Sequence, residues 1–550
     1  MRFQILAFCC LLLMSCKKNT GNPPTPGSFN LAAYKVNEKT GSLSYYDINV
    51  VPTIKLSFSA SVNKNLVQAN ISFSGNGVSA IPVTLTYENN DSTIVLKPVT
   101  VLKNLTRYNI IVLTGLESVD HASLSSSLNL TFLTSIDSTD KFPQLSDSAL
   151  LTLIQQQTFK YFWDFGHPVS GMARERNSSG EVVTSGGTGF GLMSIPVAVN
   201  RNFITRAAGL TRSLLIVNFL KNNCTRYHGA FSHWINGTTG ATVPFSNNDN
   251  GADLVETSYL MEGLLTARQY FNSTTDIDEI DLRNTINQLW DAVEWNWFRQ
   301  NNQNVLYWQW SPTLSWIING PVRGWNEALI TYVMASSSRT DSIPKIVYDN
   351  GWAQNGNIRN GNSFYGYSLP LGPSIGGPLF FEHYSFLGIN PVGLTDAYAS
   401  YQVQTTNHTK INYEYCKANP RNYFGYSDLC WGLTASDIPT GYAANEPNND
   451  NGVIAPTAAV SSLPYAPAES MQAIRFFYYK LGDKLWGQYG FYDAFKLQDP
   501  WFANSNLAID EGPIIVMIEN YRSSLIWNLF TSSPEIKNGM RRLGFIAPYL

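Results

Sequence analysis

The run Ser246-Asn-Asn-Asp-Asn-Gly-Ala-Asp-Leu-Val-Glu-Thr-Ser-Tyr-Leu-Met-Glu-Gly-Leu-Leu-Thr-Ala-Arg268 reads as a loop that becomes a helix near Gly251. Asp253 and Glu256 then share an i, i+3, i+4 stripe with Leu260, Gly263, Leu264 and Ala267, the face that a core helix buries. With Asp249 just ahead, three acids stand at the start of one helix and point where the core points, as they would on the floor of a cleft. A plainer reading has Asp249 capping the helix and the other two complementing its dipole. Capping, however, needs one acid and gains little from three on a buried face.

The same 3.6-residue period continues outward from this run. Helical stretches read at Asp147 to Phe165, Ala207 to Asn222, Ala252 to Tyr270, Leu282 to Arg299, Trp325 to Ser336, Ile343 to Trp352, Pro378 to Phe386, Asp396 to Ala418, Ala466 to Leu481, Pro513 to Leu529 and Glu535 to Leu543. Their connectors are long and rich in Gly, Asn and Trp, and connectors of that kind in a compact domain are usually functional. No repeat signature emerges, which argues against a solenoid. The pattern predicts a mainly α domain over 145–550, an (α/α)6 barrel with six inner and six outer helices and a site built at one mouth.

Ahead of it the period is 2. Thr53 to Ser59, Ala69 to Phe73, Val83 to Tyr87, Ser92 to Leu96, Tyr108 to Leu113 and Leu128 to Leu133 alternate apolar and polar residues between Asn, Gly and Ser turns. That predicts a small β-sandwich over 29–138, followed by a polar linker, Ser135 to Ser146, that contains Pro143. Pro52-Thr-Ile-Lys-Leu-Ser-Phe-Ser-Ala-Ser-Val62 resembles the bacterial Ig-like domains found ahead of secreted enzymes. The sandwich holds no paired carboxylates or histidine cluster, so a spacer role is expected.

The chain opens Met1-Arg2, is apolar from Phe3 to Met14 and continues Ser15-Cys16-Lys17-Lys18. So short an apolar stretch suits a signal peptide better than a spanning helix, which needs about 20 residues. The small residue before Cys16 resembles a bacterial lipobox, and this implies cleavage ahead of Cys16 and lipid attachment there. Residues 17–28 then form a flexible tether. The expected location is extracytoplasmic, anchored to a bacterial membrane, with the outer membrane favoured and either its periplasmic or its outer face open.

At 550 residues the length alone suggests about three domains. Net charge is −3 and only 14% of residues are charged, which argues against nucleic acid as a partner. Aromatics make up 13%, with 14 tryptophans, all after residue 160; flat rings among few charges suit neutral sugars. Beyond the export segment only Cys224, Cys416 and Cys430 remain, so one disulfide at most can form within the chain, with Cys416 and Cys430 the nearest pair in sequence. A monomer is expected.

Two further acidic positions mark helix starts. Glu327 lies in Gly324-Trp-Asn-Glu-Ala328, where it reads as first-turn with Ile330 and Met334 on its face. Asp510-Glu-Gly-Pro513 places Glu511 just ahead of an apolar helix with Pro513 at the first helical position. Glycosidic cleavage needs one protonated carboxyl for the leaving oxygen and one carboxylate acting on water or sugar. Asp253 and Glu256, one turn apart, can hold unequal protonation states, and Glu327 can supply the wider spacing of an inverting pair. Trp308, Trp310, Trp316, Trp325 and Trp431 are the candidate sugar platforms, each equally open to a core role. Asn247 to Gly251 superficially resembles a calcium loop, but Ser246 and Thr257 stand where its first and last carboxylates belong. His228, His233 and His383 lack the spacing of a zinc site and read as structural. No metal or cofactor is expected.

Taken together, Asn248-Asp-Asn-Gly-Ala-Asp-Leu-Val-Glu-Thr257, Gly324 to Ala328, Gly376-Gly-Pro-Leu-Phe-Phe-Glu-His-Tyr-Ser385, Asn451-Gly-Val-Ile-Ala-Pro-Thr-Ala-Ala459 and Asp510 to Pro513 resemble the glucoamylase-like domain that includes glycoside hydrolase family 144. The resemblance implies an (α/α)6 barrel acting on β-1,2-glucan, internally or by releasing sophorose, with inversion and without a metal. It places the family's acidic positions on Asp249, Asp253, Glu256 and Glu327, and it adds His383 and Glu511 as substrate-binding candidates. Two other readings stay open: a lipoprotein that binds glycans without cleaving them, and a polysaccharide lyase. The lyase suffers from the scarcity of Lys and Arg in the candidate loops.

Overall fold

The computed structural model describes residues 27–75 and 77–550. The signal segment, Cys16 and the tether up to residue 26 lie outside the described residues. Two compact units divide between Ser135 and Ile136, fewer than the length suggested, because one core serves the whole helical part.

The first unit pairs eight strands into two sheets. They are β1 (Leu31–Val36), β2 (Ser44–Ile48), β3 (Ile54–Phe58), β4 (Ile71–Gly75), β5 (Val83–Glu88), β6 (Thr93–Pro98), β7 (Arg107–Val112) and β8 (Leu128–Thr134). The orders are β1-β3-β6-β5 and β2-β8-β7-β4. Only β2 and β8 run parallel among the paired strands of these sheets. Alternation works as period 2 requires: Ile54, Leu56, Phe58, Ile110 and Phe132 are buried between the sheets. One boundary moves, since Ala69 and Asn70 belong to helix α1 (Lys64–Asn70), capped by Asn63, and the strand starts only at Ile71. Sequence reading also passed over β1 and β2.

The second unit contains α2 (Asp147–Trp163), α3 (Ser185–Asn200), α4 (Arg206–Asn222), α5 (Leu254–Tyr270), α6 (Ile277–Asp291), α7 (Leu329–Ser337), α8 (Lys345–Val347), α9 (Tyr401–Ala418), α10 (Pro456–Ser461), α11 (Pro467–Arg475), α12 (Leu481–Leu485), α13 (Ala508–Ser523), α14 (Leu525–Thr531) and α15 (Pro534–Leu543). Around the axis α13 packs on α3, α3 on α5, α5 on α7 and α7 on the 3-10 turn Tyr384–Phe386; α10 packs on α13. His383 and Glu382, beside that turn, close the ring onto Ser462 and Tyr465 at the end of α10. Outside lie α2 against α13 and α3, α4 against α3 and α6, α6 against α5, the α8 segment beside α7, α9 against the turn Leu379–Glu382 and α11 against α10. This is the (α/α)6 barrel.

Neighbouring inner segments begin side by side. Gly186 of α3 donates to Glu256 of α5, Tyr259 of α5 to the Glu327 carbonyl ahead of α7, and Thr457 of α10 to the Asp510 carbonyl of α13. The helix N-termini, with their free N–H groups and positive dipole ends, therefore gather at one mouth.

Two inner helices escaped sequence reading. In α3, Ser185-Gly-Gly-Thr-Gly-Phe-Gly191 looks like a loop because glycine disfavours helix by about 1 kcal/mol each. The glycines are what the packing needs: a Cβ at Gly189 would strike the Tyr259 backbone, and one at Gly263 the Gly189 backbone, so α3 and α5 meet backbone to backbone. The short α10 begins with Pro456 at its first position. The region Pro378 to Phe386, expected as a helix, is instead two 3-10 turns, Leu379–Glu382 and Tyr384–Phe386. The expected helix through Ile343 to Trp352 is the short α8 running into a π turn, Tyr348–Trp352. In α13 the helix starts at Ala508, so Pro513 is internal rather than first. Cys224, Cys416 and Cys430 are all free thiols, so the suggested pairing of Cys416 with Cys430 is not made.

Candidate active site

Two short β-pairs place the first acids. Strand β9 (Val182–Thr184) pairs with β10 (Trp234–Asn236), which β11 (Thr242–Val243) flanks. With Trp234 opposite Thr184, His233 comes to the start of α3, where its carbonyl accepts from the Ser185 N–H at 3.2 Å. Strand β12 (Ala252–Asp253) pairs with β13 (Gln309–Trp310), so Asp253 reaches α5 in extended backbone, φ −120° and ψ 110°. The helix therefore starts at Leu254, not near Gly251, and the residue that caps it is Asp253, not Asp249. Its Oδ1 accepts the Glu256 N–H at 2.9 Å. The expected apolar stripe dissolves too, because every residue from Leu254 to Arg268 is buried: an inner helix of a double ring has no solvent face.

Asp253 Oδ2 accepts from His233 Nδ1 at 3.2 Å. Glu256 Oε2 accepts from the Gly186 N–H at 2.8 Å and from Thr184 Oγ1 at 3.2 Å, while its Oε1 lies 3.9 Å from His233 Nε2. A Cβ at Gly186 would collide with this carboxylate, so glycine alone lets backbone and acid approach. Burial disfavours charge on His233, but Glu256, Asp253 and Asp249 outweigh it and push the imidazole up to about 9. His233 is thus cationic at neutral pH and locked between two acids. Burial raises Glu256, with His233 opposing.

Asp249 lies in the Ser246 to Asp249 turn and is 8% exposed. Among the described residues no donor reaches its carboxylate. Burial, reinforced by Asp253, pushes it up to about 6 against the pull of His233. Glu327 sits in the turn ahead of α7, which begins at Leu329 rather than Trp325. Ser385 Oγ and Tyr259 Oη both donate to its backbone carbonyl, the latter at 3.3 Å. Burial pushes its side chain up to about 7; its own N–H opposes this, and Asp253 and Glu256 add to it. Acids from two elements thus act on one another at one mouth of the ring.

Of the tryptophans, Trp308, Trp310 and Trp316 are half-buried beside this mouth. Trp310 pairs through its backbone with Ala252, and Trp297 is sandwiched between His228 at 3.4 Å and Trp316 at 4.9 Å. Trp325 and Trp431 are core residues instead. Trp325 donates Nε1–H to Glu382 at 3.0 Å, and Trp431 is fully buried and donates to the Glu469 carbonyl. Neither offers a face to sugar. His383 is buried against Ser462 and stacked on Tyr465, and burial pushes it down to about 3. Glu511 is buried and accepts from Asn506 at 2.7 Å. Enclosure between Ser462 and Tyr465 removes His383 from direct substrate contact.

Sequence reading missed His233, taken as structural for want of metal-ligand spacing, and Phe245, which is 49% exposed and 4.6 Å from the His233 ring. The one available signal was that both fall in the long connector leading to Asp249. Among the described residues no set of three or more His, Cys, Asp or Glu side chains is arranged to hold a metal ion.

Comparison with known proteins gives two family matches: a model described as "Putative glucoamylase" over residues 319–534, and a bacterial Ig-like domain over 34–134. An exo β-1,2-glucooligosaccharide sophorohydrolase of Parabacteroides distasonis is 44% identical over 421 residues, covering 72% of this chain. The chain spans 58% of that relative's length. The crystal structure of an endo-β-1,2-glucanase from Chitinophaga pinensis, in complex with sophorotriose and glucose, is 49% identical with a TM-score of 0.72, over 74% of this chain and 100% of that one. A β-1,2-glucanase from Parabacteroides distasonis is 35% identical with a TM-score of 0.71, over 95% of this chain and 74% of that one.

Proposed function

We propose, for a chain that belongs to the glucoamylase-domain family and carries a bacterial Ig-like domain ahead of it, that it is a glycoside hydrolase cleaving β-1,2-glucan, internally or by release of sophorose. The observation that carries the chemistry is the division among four acids. Asp253 and Glu256 are tied to other elements through backbone N–H groups and His233, which leaves Asp249 and Glu327, the latter held only by its own N–H, as the pair that can meet substrate.

Glu327, pushed up to about 7, holds a proton near neutral pH and gives it to the leaving glycosidic oxygen. Asp249, at about 6, is ionised there and takes a proton from the water that attacks the anomeric carbon. The C–O bond breaks as the new one forms, so the product anomer is inverted. Asp253, Glu256 and the His233 cation are fixed charges. Their excess of negative charge favours the protonated form of Glu327, and their rigidity holds the mouth preorganised. Trp308, Trp310, Trp316 and Phe245 supply apolar faces for sugar rings.

The test is incubation with linear β-1,2-glucan, following new reducing ends and the anomer first formed by NMR. No new reducing ends would sink the reading, and a retained anomer would sink the roles given to Asp249 and Glu327. Chromatography of products separates internal cleavage from sophorose release. For location, the Leu13 to Cys16 pattern supports lipid attachment at Cys16 and an outer-membrane anchor. Labelled palmitate should enter the protein and be lost in Cys16→Ala.

A further inference from the structure

A second group of buried acids lies across the ring from Glu327. In the inner circuit of α13, α3, α5, α7, the Tyr384 turn and α10, the start of α13 stands three places from the start of α7, diametrically opposite. Asp510 occupies the first turn of α13. Its side chain meets that of Asp493, and the two hydrogen-bond. Asp510 and Asp493 are each 4% exposed, and apart from this mutual contact Asp510 Oδ2 and Asp493 Oδ1 have no donor. Two buried carboxyl oxygens can face each other only if a proton lies between them. The other Asp493 oxygen, Oδ2, accepts the Asp437 N–H at 2.6 Å, and Asp437 is paired with Arg176 at 3.2 Å.

The strand that follows Asp437, Gly441–Ala444, forms a hairpin with Ala435–Ile438 and carries Tyr442. Its side chain is 49% exposed, yet it lies within electrostatic reach of Asp510, Asp493, Asp437 and Arg176. A tyrosine that is open to solvent and close to deeply buried acids lines a cleft. Tyr384 is within electrostatic reach of Tyr442, Asp510 and Glu327, which ties this wall to the catalytic one.

We propose that Asp493 and Asp510 form a one-proton carboxyl pair which, with Tyr442, binds the hydroxyls of a glucosyl unit on the wall of the cleft opposite Glu327. This rests on the hydrolase reading and adds a subsite to it. A carboxyl pair sharing one proton offers both a donor and acceptors without a full charge on each group, which is what a neutral sugar hydroxyl requires, and the Tyr442 ring adds an apolar face. The groups facing the pair are Asp437 and Arg176 beside Asp493, Glu511 on α13, and the Tyr442 and Tyr384 hydroxyls. Burial raises both carboxyls, Asp510 well above the ordinary carboxylate range and Asp493 up to about 7, so the pair holds two protons below neutrality and the single shared one above it.

The experiment is calorimetric titration of β-1,2-linked glucooligosaccharides into Glu327→Gln, which removes turnover, and into the same protein carrying Asp510→Ala, Asp510→Asn or Tyr442→Ala. The expected result is binding by Glu327→Gln that strengthens as pH rises through 7, where the pair passes from two protons to the shared one. Affinity should fall about tenfold with Asp510→Ala and about fivefold with Tyr442→Ala. Asp510→Asn, whose amide replaces the shared proton, should keep affinity within about threefold and abolish the pH dependence. Tyr442→Ala alters a half-exposed residue and stays informative if Asp510→Ala fails to fold. Affinities of the Asp510 and Tyr442 variants within twofold of Glu327→Gln at every pH would overturn the subsite alone. Failure of Glu327→Gln to bind any of these sugars would overturn the hydrolase reading, and the subsite with it.

Discussion

The carboxylate of Glu256 is held by the backbone N–H of Gly186, 2.8 Å away, at a place where any Cβ would occupy the space of the carboxylate itself. The first turn of α3 and the first turn of α5 are thus clamped through an acid that sequence reading had placed in the catalytic set. Gly186→Ala should lower stability by about 1 to 3 kcal/mol, the cost of overpacking, and lower kcat/KM by displacing the Glu256 carboxylate. Wild-type kinetics with an unchanged melting temperature would refute the clamp.

The pH profile should be a bell. Asp249 must be ionised, so activity falls as pH drops through about 6; Glu327 must be protonated, so activity falls as pH rises through about 7. In Asp249→Asn the remaining rate should have no acidic limb, and in Glu327→Gln no alkaline limb, with kcat down by about 100- to 10,000-fold in each. A limb that survives removal of its assigned residue rejects the assignment.

His233 links charge to stability. Its folded value, about 9, lies above the ordinary imidazole value of 6.5. Its contribution is therefore complete below pH 6.5 and is lost as pH rises through 9. His233→Asn should narrow the stability difference between pH 6 and pH 9.5 seen in thermal melts. An identical difference in both proteins would show that the imidazole carries no such linkage.

Trp431 should behave as core. Trp431→Phe removes a buried N–H bond to the Glu469 carbonyl and should cost about 1 to 3 kcal/mol of stability, leaving KM for glucan within twofold. Trp310→Ala, at the mouth, should raise KM several-fold. Reversal of the two patterns would return Trp431 to the substrate surface.

The barrel was legible because its period is 3.6 over most of the C-terminal chain, and three of the four acids were legible because they stand within one short run, Asp249 to Glu256. Glu327 could be found through its own helix start, though not its distance from the rest. What escaped was whatever depends on a partner far along the chain. The glycines of α3 spell a loop until α5 lies against them. His233 looks structural until β10 pairs with β9 and carries it to Asp253. Trp431 and His383 resemble site residues until their packing is seen.

The amino-acid order by itself determined the two kinds of architecture, the strand pattern ahead and the helical pattern behind, since side-chain period is a local property of the backbone. It also determined which residue types stand at helix starts. Only the tertiary structure decided which of those acids are tied and which are free, because hydrogen bonding and desolvation of a carboxylate depend on what the rest of the ring brings against it.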